Sequence, residues 1–341
     1  MNKLKAVIIG CGAIFPMHAV SIQTLEDVQI AAVCDIKEDR AKKRAEEYNC
    51  KAYTDYKKMI EIEKPDTVHV CLPHWLHAPV SIYAMEHGAD VICEKPMALD
   101  EKQASDMLEC AKKTNAKLSV IFQNRYNDVS AALKNEMDTG RPGKVLGARA
   151  CVNWHRTQSY YDDSGWRGKL ATEGGGVVVN QAIHTLDLML YLSGEKAVKV
   201  DASISTRAHD IEVEDSAEGV VYFKNGALGS FWFTNYYPYD KQIEVEIKCE
   251  NAVLQIFESK AYIKYNSGEV RVIEPVEDKN ISYGNAKGYW GSSHKRQIAD
   301  FYEYVKTGRK MYVTSEDAFE THKVMCALLR SGREKQVITI E

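Results

Sequence analysis

The chain has 341 residues, 45% of them apolar and 27% charged, with a formal net charge of -4. That length exceeds one hydrophobic core, so two domains are expected, and the charge balance offers no general attraction to nucleic acid or to an acidic membrane surface. Nowhere does an apolar run approach the roughly 18 residues of a membrane span, and the nine cysteines, never spaced as CxxC, read as buried thiols of a reducing compartment.

At the N-terminus, Lys3 and Lys5 precede an apolar run. The run before Gly10 is only about four residues, short of the roughly 7–15 of a secretory h-region, so a cytoplasmic protein is expected. From residue 4 to about 122, short apolar runs (KAVIIG, VQIAAVCD, TVHVCLP, ADVICEKP and KLSVIFQ) alternate with helical patterns such as 38–48, 77–88 and 100–114. Continuous apolar strands separated by helices predict a parallel sheet covered on both faces.

The first strand runs into Gly10-Cys11-Gly12-Ala13-Ile14. Gly10 permits a tight turn and Gly12 lets the backbone approach a pyrophosphate, which a helix N-terminus then stabilises. Phe15 stands where the third glycine of GxGxxG would be. The second strand ends at Asp35, where a carboxylate accepts from the adenosine ribose hydroxyls and repels a 2′-phosphate. NAD is therefore expected over NADP, although Lys37 and Arg40 lie close by. A plain acid at a helix N-terminus is the other reading of Asp35.

Beyond Gln123 the texture changes. A helix is predicted from about Tyr126 to Met137, and longer alternating strands follow, with Asn225-Gly226 as a hairpin turn between two of them. Alternation buries one sheet face and leaves the other free. The stretch GSFWFTNYY is expected to expose several aromatics there, an apolar patch that suits a homodimer or homotetramer. The expected architecture is α/β plus α+β: a Rossmann doubly wound parallel sheet over 1–123, then a domain with a large open, mostly antiparallel sheet over 124–341.

Gly174, Gly175 and Gly176 precede a helical segment with Asn180 and His184 one turn apart. The glycines are expected to let a ligand approach the backbone, and the pair presents two polar groups on one face. Asp187 could orient the imidazole or be an ordinary helix-face carboxylate. The loop 153–176 gathers Trp154, Arg156, Tyr160, Tyr161, Trp166 and Arg167, residue types that stack on sugar C–H faces and bind hydroxyls, or that simply anchor the loop.

In CLPHWLHAPV and VICEKPMALD, together with GCGAI, the strand-end Asp35, the GGG run with Asn180 and His184, and the closing SSHKRQIADFYEYV, the chain resembles the Gfo/Idh/MocA oxidoreductases over essentially its whole length. The resemblance implies an NAD-dependent dehydrogenase acting on a CH–OH group of a sugar, sugar derivative or cyclitol. It places Lys95 against nicotinamide and substrate hydroxyl, with a Lys95–Pro96 bond that can be cis. It implies cofactor contacts from Leu72, Pro73, His74, His77, Glu94 and Gln123 beside the glycine loop, and substrate contacts from Arg125, Tyr126, Arg156, Tyr161, Trp166 and His294. Relatives usually carry Asp where this chain has Asn180. Asn binds a hydroxyl but exchanges no proton, which leaves His184 as general acid/base supported by Lys95. An enzyme that oxidises the sugar only transiently and forms no net NADH is the alternative. No metal is expected.

Overall fold

The computed structural model describes residues 3–276 and 293–341. It divides into two compact units, Met1–Gln123 with Glu277–Phe319 and Asn124–Val276 with Glu320–Glu341.

The first unit is built on six strands, β1 (Leu4–Ile9), β2 (Val28–Cys34), β3 (Lys51–Tyr53), β4 (Thr67–Val70), β5 (Asp90–Cys93) and β6 (Leu118–Val120). They form one all-parallel sheet in the order β3-β2-β1-β4-β5-β6. The strand order reverses between β1 and β4, and in such sheets the crevice beyond the carboxyl ends at this point is where ligands bind. Phe15, in the position of the missing glycine, is fully buried with Ile8, Ile22 and Val33 in the core. It therefore pays for the tight helix–sheet packing a glycine would allow with apolar burial.

The helix Ser293–Thr307 also belongs to this unit and adds Ile298, Phe301 and Tyr302 to the same core. Its Gln297 accepts from the Phe122 N–H at 2.9 Å and donates to the Val120 carbonyl at 2.8 Å, completing the hydrogen bonds at the end of β6. A single cut near residue 123 does not anticipate this return of the chain. Ser292, which opens the closing motif, lies outside the described residues.

The second unit holds β7 (Val145–Asn153), β8 (Ala197–Ser205), β9 (Ser216–Phe223), β10 (Leu228–Thr234), β11 (Glu244–Cys249), β12 (Ala252–Phe257), β13 (Lys260–Tyr265), β14 (Val270–Ile273) and β15 (Ile338–Thr339). Their order is β14-β13-β12-β11-β7-β10-β9-β8-β15, with β7 and β10 parallel and the other neighbours antiparallel. Asn225-Gly226 makes the β9–β10 turn, with Gly226 at φ 90°. The helices Asp128–Asp138 and Ile183–Ser193 pack on the sheet.

Alternation sorts the aromatics of β10 differently from the simple expectation. Phe231 and Phe233 are buried, while Trp232 is 45% exposed beside Leu228. The outward face thus carries fewer aromatics than GSFWFTNYY suggests, because pleating sends two of its three strand aromatics inward.

Candidate active site

The dinucleotide loop is set by the chain's own steric limits. Gly10 sits at φ 101°, and a Cβ there would lie 2.1 Å from the Cys71 carbonyl oxygen, so only glycine lets β1 and β4 end side by side. A Cβ on Gly12 would meet nothing within 4 Å. Asp35 accepts from the Cys11 N–H at 3.0 Å and the Lys37 N–H at 2.8 Å, so it holds both the loop and the end of β2 in place. Ala13 is exposed and Ile14 half-buried at the start of the helix Phe15–Gln23, where Pro16 carries no N–H and the Phe15 and Met17 N–H groups donate to the Gly12 and Ile14 carbonyls at 3.3 and 3.0 Å, so what this helix end offers an anion is its positive dipole. An open glycine, a helix N-terminus and a fixed carboxylate fit NAD. The Cys11 thiol is no part of that chemistry: burial pushes it up to about 12.

The loop after β4 is tied down by His77, whose Nδ1 lies 2.7 Å from the Pro96 carbonyl and Nε2 2.8 Å from the Leu72 carbonyl. Its ring is fully buried. His77 is thus a clamp between the two loops expected at the cofactor. Leu72 and Pro73 are half-buried, His74 is buried, and Trp75 is 44% exposed. Gln123 is buried with no hydrogen bond to its Oε1 among the described residues.

Lys95 is half-buried just past the carboxyl end of β5, and the Lys95–Pro96 bond is cis. Behind it, Glu94 is buried in a polar network that sequence spacing does not show. Glu94 Oε1 lies 3.0 Å from His18 Nε2 and 3.4 Å from His294 Nε2, and its Oε2 accepts from the Lys95 N–H at 3.3 Å. His18 Nδ1 meets His69 Nδ1 at 2.8 Å, and His69 Nε2 meets the Tyr302 hydroxyl at 2.9 Å. Although burial opposes the charge, the histidine contacts hold Glu94 well below the usual carboxylate range, while burial lowers both His18 and His69. An ionised Glu94 only accepts, so neutral His18 donates from Nε2 and accepts at Nδ1. His69 must then donate from Nδ1 and accept the Tyr302 O–H at Nε2. One direction of hydrogen bonding runs from Tyr302 to Glu94. His294, expected at the substrate, and Glu94, expected at the cofactor, meet in this network.

In the second unit, the three glycines serve the protein's own chain. Gly174 caps the helix Leu170–Glu173 at φ 84°, a Cβ on Gly175 would lie 3.0 Å from Leu329 and 2.5 Å from Val179, and one on Gly176 would lie 1.9 Å from the Glu214 carbonyl oxygen. No ligand is needed to explain them. The segment Val178–Ala182 is a π-helical turn before the helix Ile183–Ser193, so Asn180 and His184 are not successive positions of one regular α-helix. Such turns recur at functional sites. Both residues are half-buried.

Arg125 forms a bidentate pair with Asp187, at 2.9 and 2.6 Å, and Asp187 also accepts from Thr321 at 2.7 Å. These three are buried. Arg125 is therefore held in a buried ion pair, and Asp187 orients its guanidinium. Tyr126 beside it is half-buried.

Around Asn180 stands the aromatic loop. Its Nδ2 lies 3.3 Å from the Tyr160 hydroxyl and 2.6 Å from Glu173 Oε1, and Gly168 N–H donates to Glu173 Oε2 at 2.5 Å. The Arg167 guanidinium lies 4.4 Å from the Tyr160 ring centroid and 4.9 Å from that of Trp166. Arg156 donates to Asp240 at 3.0 Å, and the buried Tyr161 hydroxyl accepts from Asn235 at 2.6 Å, so both anchor the loop. Trp166 is half-buried. Glu173 was not singled out by its sequence context, where it stands as one more acid before a glycine run. Burial pushes it up to about 7.

Among the described residues no cluster could hold a metal ion, and no helix is long and apolar enough to cross a membrane. Over 99% of its length and 99% of the relative's, the chain is 27% identical to a myo-inositol 2-dehydrogenase of Thermotoga maritima. Over 97% of its length and 96% of the relative's, it is 26% identical to a D-glucoside 3-dehydrogenase of Escherichia coli. Its fold matches the WlbA dehydrogenase of Bordetella pertussis, solved with NADH and UDP-GlcNAcA, with a TM-score of 0.87, 22% identity and coverage of 100% of this chain and 99% of the other. Residues 4–122 match the NAD-binding Rossmann domain of the GFO/IDH/MocA oxidoreductases and 130–255 match the C-terminal domain of the same family. The chain belongs to the GFO/IDH/MocA oxidoreductase family.

Proposed function

We propose that the protein uses NAD to oxidise a secondary hydroxyl of a sugar, sugar derivative or cyclitol, or to reduce the corresponding carbonyl. One observation carries this most: the open Gly12 loop and the fixed Asp35 stand at the carboxyl edge of a parallel sheet whose β5 leads directly to Lys95. The full-length likeness to sugar and cyclitol dehydrogenases supports the substrate class.

When bound, NAD supplies the acceptor for the carbinol hydrogen and its electron pair. His184 takes the hydroxyl proton and Lys95 polarises the same oxygen. Asn180 hydrogen-bonds the substrate, and Tyr160, Trp166 and Arg167 form a wall of rings and cation suited to a sugar face. Holding donor and acceptor in line supplies roughly 7–11 kcal/mol of the barrier reduction. The free cysteines support a reducing cytoplasm, and the outward Leu228 and Trp232 support a homodimer or homotetramer through the large sheet.

The test is NADH absorbance over hexoses, glycosides, inositols, hexuronates and nucleotide sugars. With the best substrate, Lys95→Met and His184→Ala are each expected to lower kcat/KM by roughly 10²–10⁴. Undiminished turnover in both variants overturns the assignment of these two residues. Product formed without NADH favours the transient-oxidation chemistry.

A further inference from the structure

Asn180 stands where proton exchange would be useful and cannot provide it, yet a carboxyl is in direct contact with it. Glu173 Oε1 lies 2.6 Å from Asn180 Nδ2, and Glu173 is 1% exposed. Its other oxygen accepts from the Gly168 N–H, so the carboxyl cannot rotate without losing both bonds. Arg167 favours its charge, Glu214 opposes it, and the Tyr161 hydroxyl lies within its field. Glu214 is itself fixed by the N–H groups of Gly176 and Val178, at 2.8 and 3.1 Å. Tyr160 receives hydrogen bonds from both Asn180 and Gln181, at 3.3 and 3.2 Å.

An amide has a donor end and an acceptor end, and a partner that fixes one end points the other elsewhere. An ionised Glu173 only accepts, and so it holds Nδ2 and turns Oδ1 away from itself. A protonated Glu173 can donate from Oε1, which favours the rotated amide, with Oδ1 held and Nδ2 turned away. An alcohol needs an acceptor for its O–H, whereas the carbonyl formed from it needs a donor.

We propose that Glu173 is a positioning residue that sets which end of the Asn180 amide faces the substrate, so that one asparagine serves the alcohol and the carbonyl in turn. The proton that switches it comes from solvent and returns there. The proposal rests on the dehydrogenase reading above. Burial brings Glu173 to about 7, so both of its protonation states are populated near neutral pH.

Two measurements test it. In the unliganded protein labelled with 15N-asparagine, the Asn180 side-chain resonances, assigned with Asn180→Asp, are expected to shift between about pH 6 and pH 8 and to stop shifting in Glu173→Gln. In turnover, the alcohol KM is expected to fall about tenfold over the same range and the carbonyl KM to rise, as the ionised fraction of one group with a pKa near 7 changes about tenfold. Glu173→Gln is expected to flatten both KM profiles while the His184 dependence of kcat remains, and Glu173→Asp to restore part of the slope. A purely structural glutamate would change KM equally at every pH. Asn180 resonances that ignore pH in the wild-type protein, or KM profiles unchanged in Glu173→Gln, overturn the proposal. If no sugar or cyclitol is turned over, the functional reading fails, and the NMR titration still decides whether Glu173 controls the amide.

Discussion

Glu94 and Glu173 are both buried glutamates, 6% and 1% exposed, and the two units treat them in opposite ways. In the first unit, histidines at 3.0 and 3.4 Å hold Glu94 ionised against the cost of burial. In the second, Glu173 accepts from the Gly168 N–H and the Asn180 amide and has Arg167 favouring its charge, yet desolvation wins. Burial alone thus fixes neither charge. The partners decide, and they match two tasks: Glu94 anchors the loop at Lys95 permanently, whereas Glu173 can change its proton at working pH.

The largest effect expected from this contrast is on Glu94. Glu94→Gln puts an amide NH2 against groups that need an acceptor, and a buried network left partly unsatisfied is expected to cost about 3–5 kcal/mol in urea denaturation at neutral pH. A loss below about 1 kcal/mol would mean that Glu94 is not the charged end of the network.

Next comes the pH dependence of stability. A carboxyl raised from 4.5 to about 7 binds its proton more tightly in the folded state than in the unfolded one. Glu173 therefore contributes stability that is fully present below about pH 4.5 and is lost as pH rises through about 7, a change of roughly 3 kcal/mol. Glu94 has the opposite sign, and its contribution is lost only as pH falls far into the acid range. Glu173→Gln is expected to remove most of the decline between about pH 5 and pH 8 in denaturation curves, and an unchanged slope would place its titration elsewhere.

The smallest effect is at the far end of the histidine chain. His69→Phe removes the donor to His18 Nδ1, while Tyr302 keeps Thr67 at 2.9 Å, so a cost of about 1–2 kcal/mol is expected. A cost equal to that of Glu94→Gln would show that the network is worth the same wherever it is cut.

What could be read from the sequence follows the same division. The strands around Gly10, Asp35 and Lys95 are legible because a parallel sheet demands continuous apolar runs and a tight glycine turn, and both are local signals. Lys51–Tyr53 escapes because a three-residue edge strand with a charged end carries no pattern. The long-range partners also escape. Arg125 meets Asp187 across 62 positions and His18 meets Glu94 across 76, and no periodicity links them. The glycine run misleads for a related reason: its tight neighbours, Glu214 and Leu329, lie far along the chain, so close packing against the protein imitates room left for a ligand. Glu173 is seven residues from Asn180, and only the left-handed turn at Gly174 and the π-helical turn beyond it bring the two side chains together.

The contrast between the two glutamates is tested most directly by 13C NMR of protein labelled at the glutamate Cδ, titrated from about pH 4 to about pH 9. One resonance, absent in Glu173→Gln, is predicted to titrate near 7, and another, absent in Glu94→Gln, to stay at the ionised position throughout. Both residues titrating together in the ordinary carboxylate range would contradict the account.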